Sequence, residues 1–235
     1  MTVASEHLHI KVPATFPIEQ FDSFMGAAKS TLLPNKGDPW REFGGASNLI
    51  AWRYRACIEY FERYIHLWMN PPSAEPFEVI YERERVWFGA FVSGVSCIES
   101  TSYALYALSS HPKVLSVKFG VKEQRQCSPK TLVEVLRPHN RAETLVVTLD
   151  QMLSSSEWSH WSELRNRMAH RSNLPRIIYG GMGSSPPASK PVQFAGTSST
   201  RETIGDEAWI ASQCQWLSGC LKELLVSGAR LASGV

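Results

Sequence analysis

The feature that most constrains this fold is an apolar pattern of helical period over about residues 76–109. Apolar side chains that recur every three or four residues form one stripe of an α-helix, so we expect a single long helix here. The second half of this segment is rich in small residues, which would let another helix approach closely. Gly89 and Gly94 lower the helix propensity, so packing has to compensate. The predicted buried side comprises Val79, Trp87, Phe91, Val95, Ile98, Leu105 and Leu108.

The same period recurs in shorter segments that turn residues separate. The pattern predicts helices at about 18–33, 47–69, 128–136, 140–152 and 157–171, and a last helix from a capping box at Ser199–Glu202 to about residue 228. Ser128 precedes Pro129 at one helix start, and Asn140 is a candidate cap at another. With so little strand signal, we predict an all-α helical bundle that forms one domain over 1–235.

Three segments fall outside the helical pattern. Residues 1–13 form the start of an N-terminal extension and helix (1–40), and they alternate apolar and polar residues like a short extended segment. Within the irregular stretch 111–127, residues 114–119 are either a short strand or an apolar plug. The long loop 172–202 before the last helix is glycine-rich but lacks the Gly-Lys-Ser/Thr of a phosphate loop. Loops of this length are functional covers or mobile segments.

Composition indicates an ordinary globular protein of the cytoplasm. The apolar fraction is 43% and the charged fraction 20%. The net charge of +2 excludes a strong general attraction to nucleic acid. Five cysteines without close pairing favour reduced, buried thiols. We find no signal peptide, no membrane span, no carboxylate cluster for a metal and no fingerprint of a cofactor.

The segment 162–171 combines an arginine, a polar residue and a histidine at a distinctive spacing. Arg165 is followed by Asn166, and His170 comes after four intervening residues. Because a helix turns about 100° per residue, Asn166 and His170 share one face, while Arg165 leans toward the core stripe and His170 away from it. One chain would therefore have difficulty aiming both side chains at one phosphate, although the long arginine side chain gives some reach. Two such helices meeting across a two-fold axis would solve this problem.

This Arg-x4-His segment resembles the signature of the HEPN superfamily, whose members are small helical proteins and often metal-independent ribonucleases. The resemblance implies a homodimer with facing motifs and a nuclease site lined by Arg165, Asn166 and His170. It also implies an RNA-cleaving enzyme of the toxin or defence type, with a cognate antitoxin as a possible partner. We add Arg167 and Arg171 as substrate-binding residues, because a guanidinium presents a fork of donors to phosphate oxygens.

The chemistry of RNA cleavage suits these side chains. Histidine titrates near neutral pH and can act as the base for the 2′-hydroxyl, while arginine stabilises charge on the phosphorane. The structural alternative is that an arginine and a histidine near a helix C-terminus interact only with its terminal carbonyls. The alternative function is a non-catalytic helical module that binds a protein or RNA partner, which the modest net charge favours.

Glu99 and Tyr103 are predicted to support the site from the long helix. Glu99 falls on the inward side of that helix, and a buried carboxylate needs a partner. Arg165 also leans inward, so we predict a Glu99–Arg165 ion pair, direct or bridged by Tyr103. The alternative is that Glu99 reaches solvent or pairs with another arginine.

Overall fold

The computed structural model confirms an all-α fold. It describes residues 2–32, 38–70, 76–170, 176–177, 193–194 and 203–234. In these ranges the helices are α1 (Ile18–Leu32), α2 (Asp38–Met69), α3 (Pro76–Ser109), α4 (Val121–Arg125), α5 (Pro129–Leu136), α6 (Glu143–Ser154), α7 (Ser156–His170) and α8 (Glu207–Ser233).

Extended structure in the described ranges is limited to two-residue strands. Strand β1 (Thr2–Val3) pairs antiparallel with β2 (Val12–Pro13). Strand β4 (Gln193–Phe194) lies between β3 (Arg176–Ile177) and β5 (Thr203–Ile204), antiparallel to both. Apart from β3 and β4, the long loop predicted at 172–202 lies outside the described residues.

The chain forms two compact units, each assembled from separate segments. Unit 1 comprises Met1–Arg55, Ser96–Ser155 and Trp216–Val235, and unit 2 comprises Ala56–Val95 and Ser156–Gln215. Helices α2, α3 and α8 each contribute residues to both units. The prediction of a single domain stays a prediction.

Unit 1 has a core of aromatic and aliphatic side chains closed by one arginine. Phe24 and Leu105 approach so closely at Gly228 that a Cβ on this glycine would overlap both. Arg141 donates hydrogen bonds to the carbonyl oxygens of Lys113, Val114 and Leu231. Three neutral carbonyl oxygens thus bind the Arg141 guanidinium. The fully buried large side chains of this unit are Phe21, Phe24, Phe43, Tyr54 and Tyr106.

Unit 2 is built around a cluster of aromatic rings. Phe91 packs edge to face against Phe61, Trp87 and Trp161, with ring centroids 5.0–5.6 Å apart. The two glycines of α3 lie against rings of this unit. A Cβ on Gly89 would meet Tyr60, and a Cβ on Gly94 would overlap the Trp161 ring. The prediction that packing compensates for these glycines is confirmed.

Two predicted helix starts are wrong by several residues. Helix α2 begins at Asp38 instead of about 47, because Pro39 is compatible with a first helical turn and Gly44 and Gly45 are carried along in the helix. Helix α8 begins at Glu207, where the backbone N–H of Trp209 donates to Asp206 Oδ1 at 2.7 Å. Asp206 is thus its cap. The predicted box at Ser199–Glu202 lies outside the described residues, and α8 continues past 228 to Ser233.

The middle of the chain divides between correct and wrong predictions. The Ser128 side chain accepts a hydrogen bond from Thr131 N–H and caps α5, as predicted. Asn140 does not cap α6, because Asn140–Ala142 form a 3₁₀ turn and the helix that follows has no side-chain cap. Residues 114–119 form no strand, and Val114 is buried as the plug alternative requires. Helix α4 was not predicted.

All five cysteines are free thiols. Cys57 and Cys97 are buried, as predicted, whereas Cys127, Cys214 and Cys220 are half-buried. Over the described part of the chain, no helix has an apolar stretch long enough to cross a bilayer.

Candidate functional site

Helix α7, which carries the Arg-x4-His segment, is oriented by two buried apolar side chains. Trp161 and Leu164 are each 1% exposed. The Trp161 ring packs against Phe61 and Phe91, and its indole N–H donates to Gln213 Oε1 at 2.7 Å. A buried indole N–H without a partner would be destabilising, so this bond favours one orientation of the ring. The rotation of α7 about its axis is therefore set by contacts within unit 2.

The three predicted catalytic residues differ in exposure as the helical geometry requires. Asn166 and His170 are exposed, and Arg165 is half-buried with its Nε atom shielded from solvent. Positions 166 and 170 are about 40° apart around the helix, whereas 165 and 170 are about 140° apart. Within one α7, the amide and the imidazole thus share an outward face, and the guanidinium starts from a different one.

Of the two predicted substrate-binding residues, the structure describes Arg167 but not Arg171. Arg167 is half-buried, and its Nε is shielded like that of Arg165. Both arginines take part in interactions, so neither side chain hangs free in solvent. Arg171 lies outside the described residues. Arg167 and His170 occupy the last turn of α7, where the helix dipole favours positive charge. This position is also the one expected under the structural alternative, in which the basic side chains only interact with the helix end.

Glu99 and Tyr103 belong to unit 1, where they line one open cavity of about 600 Å³. The Tyr103 hydroxyl donates to Glu42 Oε2 at 2.8 Å. Glu99 is half-buried and is not without an interaction. The predicted Glu99–Arg165 pair joins residues of different units and stays a prediction. The other lining residues are Gly45, Ala46, Leu49, Arg53, Ser96, Ser100 and Cys127.

The cavity holds its titratable hydroxyl and thiol in their neutral forms. Burial and the neighbouring carboxylate of Glu42 raise the pKa of Tyr103 well above its usual range. Burial, with the charge of Glu99 adding to it, raises the pKa of the Cys127 thiol to about 12. A thiol reacts as the thiolate, so Cys127 is a poor nucleophile at neutral pH. This cavity is suited to binding rather than to covalent catalysis.

Sequence reasoning missed Glu42 and Arg53, the charged residues that α2 contributes to the cavity. The signal was present in the spacing. Residues 42, 45, 49 and 53 follow one another at intervals of three or four, which places them along one helical face. This spacing did not lead to a prediction because the helix was expected to begin near residue 47, after Glu42 and Gly45.

Metal binding finds no support in the donor set of the described residues. No group of three or more His, Cys, Asp or Glu side chains there is arranged to hold a metal ion. The N-terminal His7 approaches Lys29 through its Nδ1 and Glu6 through its Nε2.

Comparison with known proteins adds no relative. No protein-family model, no curated protein and no solved structure matches this chain.

Proposed function

We propose that this protein is a metal-independent endoribonuclease of the toxin or defence type, which acts in the cytoplasm as a homodimer. Its site would consist of Arg165, Asn166 and His170, contributed by two copies of α7. RNA is the substrate in this proposal, and a cognate antitoxin protein is the expected regulator.

The exposure pattern along the end of α7 is the observation that carries this proposal. His170 is exposed in the last helical turn, on the face that Asn166 shares. Arg165 and Arg167, which lie within two turns of His170, are half-buried. An exposed imidazole can reach a 2′-hydroxyl, and arginines restrained by the protein lose less side-chain entropy when they bind a phosphate.

Each residue has a role in the proposed cleavage, and that of Asn166 is to orient the imidazole or to bind a phosphate oxygen. His170 takes the proton from the 2′-hydroxyl, and the 2′-oxygen attacks the adjacent phosphorus. The Arg165 guanidinium donates to the phosphorane oxygens as negative charge builds on them. The bond from phosphorus to the 5′-oxygen then breaks, this oxygen takes a proton from water, and His170 releases the proton it accepted to solvent. The products are a 2′,3′-cyclic phosphate and a 5′-hydroxyl.

The test is cleavage of a labelled single-stranded RNA in the presence of a chelator. We expect the wild-type chain to cleave it and His170→Ala to be slower by about 100-fold or more, because a general base contributes 10²–10⁴-fold. End-group analysis should find the 2′,3′-cyclic phosphate. RNA methylated at the 2′-oxygens should resist cleavage, because the nucleophile is blocked.

His66→Ala is the matched control, because His66 is also an exposed histidine in the last turn of a helix, α2. Both substitutions remove an imidazole from a helix end, so a role limited to the helix dipole would give both variants similar properties. Equal cleavage by the wild type and His170→Ala would exclude the proposed site. Equal inactivity of both would instead favour the non-catalytic module, which the net charge of +2 also favours.

A further inference from the structure

One face of α2 is open and self-complementary in its chemistry. Glu42, Gly45, Leu49, Trp52 and Arg53 fall within about 120° of the helix circumference at 100° per residue. Leu49 is 41% exposed and Trp52 is 55% exposed, although most large apolar side chains of the described chain are buried. We call these five residues the α2 face. Two exposed apolar side chains beside an open cavity on one helical face form a candidate contact surface.

The space beside the α2 face has a floor of small residues. Gly45 and Ala46 of α2, with Ser96 and Ser100 of α3, line the cavity of about 600 Å³ described above. A Cβ built on Gly45 meets no described atom within 4 Å, so the backbone here is accessible to a large side chain from outside. The face thus carries both a projecting apolar residue, Leu49, and a recess beside it.

Charges of opposite sign mark the two ends of this recess. Glu42 and Arg53 both line it, eleven residues apart on one helix. At 1.5 Å per residue they are separated by roughly 16 Å along the helix axis and by about 20° around it. The Tyr103 hydroxyl fixes the Glu42 carboxylate at one end, while Arg53 is exposed at the other.

We propose that the α2 face is where two copies of this chain associate, with their α2 helices antiparallel about a two-fold axis. In a two-fold interface, if residue i of one copy meets residue j of the other, then j also meets i. An antiparallel register that sets Glu42 opposite Arg53 therefore forms this ion pair twice. The same register sets Leu49 of each copy opposite Ala46 of the other, beside the open Gly45.

A second copy fits this face better than other occupants because one register forms the Glu42–Arg53 ion pair twice and sets each Leu49 beside the recess of the other copy. The acidic end meets the basic end, the projecting leucine enters the recess, and the sequence supplies both halves of each contact. The proposed ribonuclease also needs two copies of the chain, and only in that need for self-association does this inference rest on the proposed function.

The experiment is a measurement of molecular mass by analytical ultracentrifugation on the full chain over a concentration series. We expect a wild-type dimer. Arg53→Glu should raise the dimer dissociation constant by about tenfold or more. The new carboxylate at position 53 of each copy would face the Glu42 carboxylate of the other, so the repulsion occurs twice. Glu42→Arg should do the same. The double variant Glu42→Arg with Arg53→Glu should recover the dimer, since both ion pairs re-form with exchanged signs.

Lys222→Glu is the control, because Lys222 is an exposed basic residue on α8 that belongs neither to the α2 face nor to the residues that line the cavity; it should leave the mass unchanged. Glu42→Arg also loses the bond from Tyr103, so Leu49→Asp provides a second variant that should give a monomer. A monomeric wild type, a dimer unaffected by Arg53→Glu and Leu49→Asp, or a folded double variant that stays monomeric would each overturn the inference. RNA cleavage by the wild type, measured in parallel, tests the proposed function separately.

Discussion

Gly94 in α3 shows how one missing side chain can fix the position of a neighbouring ring. A Cβ at this position would overlap the six-membered part of the Trp161 indole, which is itself 1% exposed and surrounded by Phe61 and Phe91. In a close-packed core the ring has no adjacent space into which it can move. The glycine therefore persists in the helix interior despite its unfavourable propensity.

We expect Gly94→Ala to lower the free energy of unfolding by about 1–3 kcal/mol, since overpacking outweighs the gain in helix propensity. Urea denaturation followed by far-UV circular dichroism measures this change. Gly44→Ala is the matched control, because Gly44 is also inside a helix but no described atom lies within 4 Å of its added Cβ. That variant should gain about 0.5–1 kcal/mol. A stabilising effect of Gly94→Ala would contradict the described packing.

His111 gives the protein a predicted sensitivity to acid. Its side chain is 4% exposed, its Nδ1 accepts the Lys113 N–H at 3.2 Å, and its Nε2 has no hydrogen-bond partner within the described chain. Burial, reinforced by the positive charge of Lys113, lowers the pKa of this imidazole. The unfolded chain therefore takes up the proton at a higher pH than the folded chain does.

Because the unfolded state binds this proton first, the free energy of unfolding falls as pH drops below about 6.5, by at most about 1.4 kcal/mol per pH unit, and levels off below the folded pKa. His111→Asn keeps an acceptor for the Lys113 N–H and removes the titration. Urea denaturation of both proteins at about pH 7.5 and about pH 5.5 isolates the contribution. The wild type should lose more stability than the variant, and identical losses would disprove the assignment to His111.

Helix ends separate what local sequence determines from what it does not. The Ser128 hydroxyl accepts the Thr131 N–H at 3.1 Å, whereas Asn140 belongs to a 3₁₀ turn and caps no helix. Ser128→Ala should therefore lower the free energy of unfolding by about 1 kcal/mol, and Asn140→Ala by clearly less. Thermal unfolding of the two variants provides the comparison. A larger effect at Asn140 would contradict the caps described here.

The elements that sequence predicted well carry their signals locally. The core stripes of α3 and α7 repeat at helical spacing, and Ser128 with Pro129 starts α5 by chemistry contained in a few residues. The start of α2 could not be predicted this way, because Gly44 and Gly45 carry a propensity penalty that packing of Phe43, Ala46 and Ser47 in unit 1 overrides. Packing also overrides local preference in α6. The β-branched residues at 146–148 favour a strand, but Val146 and Leu149 are buried on one helical face.

In the candidate site, too, features set by one helix could be predicted, whereas a contact between two helices could not. Periodicity predicted that Arg165 leans inward and His170 outward, and their exposure agrees. Exposure follows from the angle around one helix, so sequence suffices. The bond between Tyr103 and Glu42 joins residues 61 positions apart and depends on how α2 and α3 pack within unit 1. No local pattern contains that information, so this contact could not be predicted, whereas the helical spacing that places Glu42 and Arg53 on one face could have been recognised if the start of α2 had been.

The whole assembly decides whether Arg165 and His170 can act on one phosphate. They lie about 140° apart on α7, so a site made by a single copy must rely on the reach of the arginine side chain. A site shared by two copies can instead combine the arginine of one with the histidine of the other. These two arrangements make different predictions for a mixture of two inactive variants.

In the proposed homodimer, Arg165→Ala retains both histidines and lacks both arginines, whereas His170→Ala retains both arginines and lacks both histidines. We expect each alone to cleave RNA about 100-fold more slowly than the wild type, because each lacks one component of the chemistry. After the two are mixed and allowed to exchange subunits, hybrid dimers contain one arginine and one histidine in the shared cleft. Cleavage should then rise by about tenfold or more above either variant, although no chain carries both residues.

Subunit exchange is verified independently by placing different affinity tags on the two variants and recovering both through one tag. A mixture of Arg165→Ala with itself under the second tag controls for the effect of mixing. If hybrid dimers form but cleavage stays at the level of the separate variants, each site is contained within one copy and the shared cleft is excluded. Restored activity would mean that Arg165 and His170 act together across the two-fold axis, which accounts for their position on different faces of the same helix.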